Sequence, residues 1–188
     1  MLTTNVLIDN FSTAFNNNLK RIDSTFDSLS LNQINWKPGS KIWSIGECIN
    51  HLVITNELYL KKMKEIAIKR TPNLNEDYIY SQSFMGKMMT KAVDPENIKK
   101  YKTFKVFDPL ESSALKSAVQ DYTLIIKRFI EIVKDLNGIN LKKIKFSSPV
   151  NKFIRLNLGD PLIFIPKHDE RHLLQAERIM NLKEFPKE

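Results

Sequence analysis

The chain is predicted to be all-α, a four-helix bundle with long crossover connections, on three observations. Four stretches carry apolar residues spaced mostly by three and four, the period of a helix face. Glycine is scarce, five in 188 residues, which disfavours a turn-rich sandwich. Helix start and stop signals bracket the stretches, and the gaps between them are longer than simple hairpins need. A chain of this length fits one domain, residues 1–188, large enough to bury a core without staples.

The first helix is expected from about Leu2 to Leu29, with Val6, Phe11, Phe15, Leu19, Ile22, Phe26 and Leu29 as its stripe. The second opens at Ser44, where Ser44-Ile45-Gly46-Glu47 has the form of a capping box. Its core positions are Ile45, Ile49, Leu52, Leu60, Met63 and Ala67. The third starts at Asp108-Pro109-Leu110-Glu111, a cap followed by proline at the first helical position. It carries Leu115, Val119, Tyr122, Ile126, Phe129 and Val133 and stops at Asn137-Gly138. The fourth begins at Asp160-Pro161 and runs to about Leu182, with Pro166 expected to bend or restart it. Between the second and third helices, residues 70–107 suggest a short helix after Asp94-Pro95. Residues 138–159 fit either a loose hairpin or irregular coil. Long connections in a compact domain often carry function.

Composition excludes several classes. Hydrophobic content of 42% and charged content of 27% are ordinary for a soluble globular protein. The single cysteine, Cys48, rules out an internal disulfide and points to a reducing compartment. The N-terminus has no basic start, and Asp9 interrupts its apolar run, so it does not read as a signal peptide. No apolar stretch approaches the roughly 20 residues that span a bilayer. The expected address is cytoplasmic, without a membrane. The net charge of +8 raises nucleic acid as a partner. The lysines, however, fall in separate groups around Lys61, Lys99 and Lys142, and no nucleic-acid signature accompanies them, so that partner is not expected.

All three histidines can be placed on one metal site. His168 and His172 lie four apart, so their imidazoles share one helix face about one turn from each other. At 100° per residue they join Ile165, Ala176 and Ile179 on the core-facing stripe. His51, in the second helix, lies about 120° from the centre of its stripe and is a flank residue, able to reach a neighbouring helix or solvent. Three imidazoles around one cation leave coordination positions open, the arrangement of catalytic zinc-type sites. The competing explanation is a chance His-x3-His pair with solvated rings. Other residues have plain readings: Cys48 as a small buried side chain, Glu47 as a cap, and Gln175 as a packing amide or a site residue. Trp36 and Trp43 are expected to cover the bundle end, and Asp169 and Arg171 to be solvated.

Two segments carry a resemblance. Trp36-Lys-Pro-Gly-Ser-Lys-Ile-Trp43-Ser-Ile-Gly-Glu47-Cys-Ile-Asn-His51 resembles the tryptophan-serine turn and first metal histidine of the DinB/YfiT-like superfamily. His168-Asp-Glu-Arg-His172-Leu-Leu-Gln175 is similar to its last-helix motif, and Tyr101 to Pro109 to its aromatic, basic approach to the third helix. The resemblance implies a bundle in which His51, His168 and His172 bind a divalent ion, zinc or nickel, near one end. It also implies transfer chemistry with a low-molecular-weight thiol such as bacillithiol or mycothiol, or a thiol-dependent isomerisation. A metal-held thiolate would attack an electrophile without a nucleophile from the protein. The partners would then be a small thiol and an electrophile, with a homodimer left open. The alternative is a non-catalytic, stress-associated metal-binding bundle acting through dimerisation or partner binding, since one fold hosts many functions.

Overall fold

The computed structural model describes residues 2–99, 101–109, 117–149 and 151–187. Its described part is mostly helical, with one small two-stranded sheet. Helix α1, Thr4–Phe26, starts where the Thr3 side chain accepts a hydrogen bond from the Val6 amide. It buries Leu7, Ile8, Phe11, Phe15, Ile22 and Phe26. Val6 is exposed instead: five residues before Phe11, it lies about 140° off the stripe. A five-residue helix, α2 (Leu31–Asn35), follows on a capping box between Ser30 and Gln33. That signature is present in the sequence but lies outside the four expected blocks.

Helix α3, Ile45–Ala67, opens on the expected box: the Glu47 amide donates to Ser44 Oγ at 3.1 Å, and Ser44 N to Glu47 Oε2 at 2.7 Å. Helix α4, Phe84–Val93, is the short helix of the long connection, but it precedes Asp94-Pro95 rather than following it. Ser83 is its cap. The Asp94 side chain instead accepts from the Glu96 amide at 3.1 Å and makes a local turn. Helix α5 spans Ala118–Lys134. Of its expected start, Leu110 and Glu111, like Leu115 beyond them, lie outside the described residues, while Asp108 closes a 3-10 turn, Lys105–Phe107. After α5 the chain reverses through Gly138 at φ +69°, a backbone state that favours glycine. A Cβ there would also come within 2.6 Å of the Asn73 carbonyl.

Residues 138–159 contain a hairpin, β1 (Lys145–Ser147) and β2 (Arg155–Asn157), antiparallel with Phe146 opposite Leu156. Helix α6, Pro161–Met180, does not restart at Pro166. That proline sits in its second turn and removes one amide donor without ending the helix.

Among the described residues, α1 packs on α5 and α6, and α3 packs on the same two. The four long helices thus form a ring with α1 diagonal to α3. Phe129 of α5 meets Phe11 and Phe15, whereas Tyr122, a turn or two earlier on α5, meets Asn18, so α1 and α5 are antiparallel. His51 and His172, Asn56 and Asp169, and Tyr59 and Phe164 pair α3 antiparallel to α6. Arg21 meets Glu177 while Asn18 lies nearer Asp169 through Tyr122, so α1 and α6 run together. The directions are up, down, down, up. Because α3 and α5 point the same way, the chain must climb back along the bundle between them, and residues 68–99 and 101–109 are the described part of that connection.

Asp160 fastens the crossover. It is fully buried ahead of α6 and accepts from Tyr80 Oη at 2.6 Å, Ser83 N at 3.0 Å, Ser83 Oγ at 2.5 Å and Asn157 N at 2.8 Å. One carboxylate therefore ties the start of α4 and the end of β2 to α6.

Candidate metal centre

His51 is the seventh residue of α3, and one turn ahead of it the Ser44–Glu47 box fixes the helix entry. Its ring is buried, at 4% exposure, so the flank position faces α6 rather than solvent. Its Nδ1 donates to the Phe107 carbonyl at 2.7 Å, because a carbonyl can only accept. The crossover's 3-10 turn thereby sets the tautomer and leaves the His51 Nε2 lone pair free. On α6, His172 Nδ1 donates to Gln175 Oε1 at 3.1 Å, which frees its Nε2 in the same way. Gln175 thus contacts the histidine cluster.

The three rings converge. Ligand-capable nitrogens of His51, His168 and His172 all lie within 4.8 Å of one another, and the Nε2 atoms of His51 and His168 are 3.2 Å apart. Nitrogens bound to one tetrahedral cation at about 2.0–2.1 Å lie about 3.3–3.4 Å apart, so the spacing of His51 and His168 already suits an ion. Burial lowers all three imidazole pKa values: His51 to about 3, His168 to about 4, and His172 well below the ordinary value. Proximity of the rings adds to the effect at His51 and His172. Three rings that resist protonation while turning ring nitrogens to a common point form a candidate donor set for a cation. His51 is buried, whereas His168 and His172 are partly exposed.

Several neighbours depart from the sequence reading. Trp43 does more than cover the bundle end: its ring lies 5.0 Å from that of His51 and 5.8 Å from that of His172, a wall of the site. Trp36 packs edge-on against Phe185 instead. Asp169 is not solvated. It is fully buried, and its Oδ2 accepts from Asn56 Nδ2 and Tyr122 Oη, both at 2.8 Å. Burial raises its pKa to about 8, against the lowering by those two donors. Arg171 is not free in solvent either. Its guanidinium donates to the carbonyls of Asp94 and Lys99 at 2.9 and 2.6 Å and to that of Asn97. Lys167 joins it through Asp94 at 2.6 Å. These contacts clamp the crossover to α6 next to the histidines. Sequence spacing alone could not show this, since it projects one helix at a time and not what packs on it.

The plain readings of two residues hold. Cys48 is fully buried, and burial pushes its thiol pKa up, away from a reactive thiolate. Glu47 serves the cap and pairs with Lys37 at 2.8 Å.

The sequence pattern of the DinB superfamily matches residues 14–176, which covers α3 and α5 whole, much of α1 and α6, and the three histidines. The chain belongs to the DinB superfamily. No curated protein and no solved structure matches it. As a DinB-superfamily protein it has the mostly helical bundle and a histidine cluster suited to a divalent ion. None of the helices is long and apolar enough among the described residues to cross a membrane.

Proposed function

We propose that this DinB-superfamily protein is a divalent-metal-dependent transferase that uses a low-molecular-weight thiol, with His51, His168 and His172 as the metal ligands. The observation that carries the reading is the convergence of three neutral-tending imidazoles with two Nδ1 atoms already committed to acceptors. A zinc or nickel ion held there would supply a Lewis acid that keeps a thiol ionised at neutral pH. The chain's own groups do the rest. The Phe107 carbonyl and Gln175 hold two rings in their donor tautomer. Trp43 lies against two of the rings and shields them from water. The surplus of lysine and arginine favours approach of an anionic thiol.

Arg171 is committed to clamping the crossover, with three of its five N–H donors on backbone carbonyls. Cys48 is not the nucleophile, because it is sealed in the core. The electrophile therefore meets an exogenous sulfur and not one from the protein.

The test is a conjugation assay with bacillithiol-like and glutathione-like thiols on zinc- or nickel-loaded protein and a reactive electrophile. Metal-dependent product that disappears in His172→Ala, with the helical circular dichroism retained, supports the proposal. Protein that holds its metal yet turns over no thiol returns the weight to a non-catalytic metal-binding bundle.

A further inference from the structure

Two buried atoms face each other behind the histidine cluster with nothing to bond. His168 Nδ1 and Asp169 Oδ1 are both shut away from solvent without a hydrogen-bond partner among the described residues, and they lie 3.7 Å apart. Orphaned buried polar atoms are costly and uncommon, so a matched pair asks for a state in which they meet. The other Asp169 oxygen is already held by Asn56 from α3 and Tyr122 from α5. The carboxylate is thereby fixed with Oδ1 toward the ring.

The ring contacts place the histidine protons. His51 gives its Nδ1 proton to Phe107, so its Nε2 can only accept. The 3.2 Å contact between the two Nε2 atoms is a hydrogen bond only if His168 carries its proton on Nε2. In that tautomer His168 Nδ1 has a lone pair, and at 3.7 Å from Asp169 Oδ1 it makes no hydrogen bond. A cation among the histidines needs the His168 Nε2 lone pair. The neutral ring must then carry its proton on Nδ1, where Oδ1 can accept it.

We propose that Asp169 is a positioning residue for the metal site: it accepts the Nδ1 proton of His168 when a cation occupies the histidine cluster, and so selects the metal-binding tautomer. The ring stays neutral throughout: the Nε2 proton passes to water as the cation takes that lone pair, and Nδ1 takes one proton from water in exchange. The inference rests on the metal reading of the three histidines. It adds that the ion's affinity is set partly by a buried network reaching α3 and α5, through Asn56 and Tyr122. Partners behind a ligating histidine typically change metal affinity by about 10–100-fold.

The experiment uses the full chain and zinc alone. Long-range nitrogen–proton spectra of the labelled imidazoles should show His168 protonated at Nε2 without metal and at Nδ1 with zinc. Asp169→Asn turns an acceptor into a group that can present an amide to the ring. It should weaken zinc binding about 10–100-fold, while Phe129→Leu, a core change away from the site, leaves affinity within about threefold of wild type. An unchanged His168 tautomer on zinc binding overturns the proposal. So does Asp169→Asn with wild-type affinity, or an equal loss in Phe129→Leu. If Asp169→Asn does not fold, the wild-type spectra decide alone. Wild-type protein that takes up no zinc defeats the metal reading itself, an outcome distinct from zinc binding that is indifferent to Asp169.

Discussion

The Nε2 atoms of His51 and His168 lie 3.2 Å apart, although the two residues are far apart in sequence and sit on different helices. The contact exists because α3 and α6 run antiparallel and because Phe107, on the crossover, holds the other nitrogen of His51. A metal-loaded structure should convert this contact into shared ligation, with each Nε2 at about 2.0–2.2 Å from one ion. An ion held by Glu47, or by no residue of α3, would show that His51 is not a ligand.

The clamp made by Arg171 gives a kinetic expectation. Arg171→Ala strands three carbonyls of the crossover, the segment that carries Phe107 to His51. Lysine cannot replace a planar fork with several donors, so Arg171→Lys should fail as well. Both variants should release zinc faster than wild type and lose about 1–3 kcal/mol of stability. Stopped-flow chelator competition measures the first effect and urea unfolding the second. Unchanged zinc release would separate the crossover from the site.

Acid should destabilise the metal-free protein through the same histidines. The folded-state values of His51 and His168, about 3 and about 4, lie below the ordinary 6.5. Between those values the unfolded chain binds more protons than the folded one, so stability rises with pH across the window. It is fully present above about 6.5 and is lost as pH falls toward 4. Urea midpoints of chelator-treated protein at pH 7.5, 6 and 5 should decline in that order. The decline should be shallower in His51→Gln. Parallel curves for wild type and variant would contradict the assignment.

Gly86 offers a test of the Asp160 anchor. A Cβ added there would come 2.3 Å from the Asp160 carboxylate, which four donors hold in place. Alanine normally favours a helix by about 1 kcal/mol over glycine. Here overpacking should outweigh that gain, and Gly86→Ala should lose about 1–3 kcal/mol by denaturant unfolding. A stabilised variant would mean that Asp160 yields easily and does not fasten α4.

The parts of this architecture that depend on one helix at a time were legible in the sequence. The Ser44–Glu47 box, the apolar stripes of α3 and α5, and the shared face of His168 and His172 are local patterns, and they stand in the structure. The site's surroundings were not legible, because they are made between elements. His51 counts as a flank residue on its own helix, yet α6 and the crossover cover it. Asp169 points away from the histidine face by wheel geometry, but α3 and α5 meet it there with Asn56 and Tyr122. Arg171 looks solvated until residues 94–99 are laid across it. The displaced short helix, α4, shows that Asp-Pro can mark a turn as readily as a helix start when the aspartate bonds its own backbone.

The most direct test of the central claim is the metal content of protein made without a histidine tag, titrated with zinc and with nickel at neutral pH. Three imidazoles converging on one point predict one ion per chain, lost in His51→Ala, His168→Ala and His172→Ala alike while the bundle stays folded. A wild-type protein that binds neither metal, or a His51→Ala variant that keeps full affinity, would contradict it.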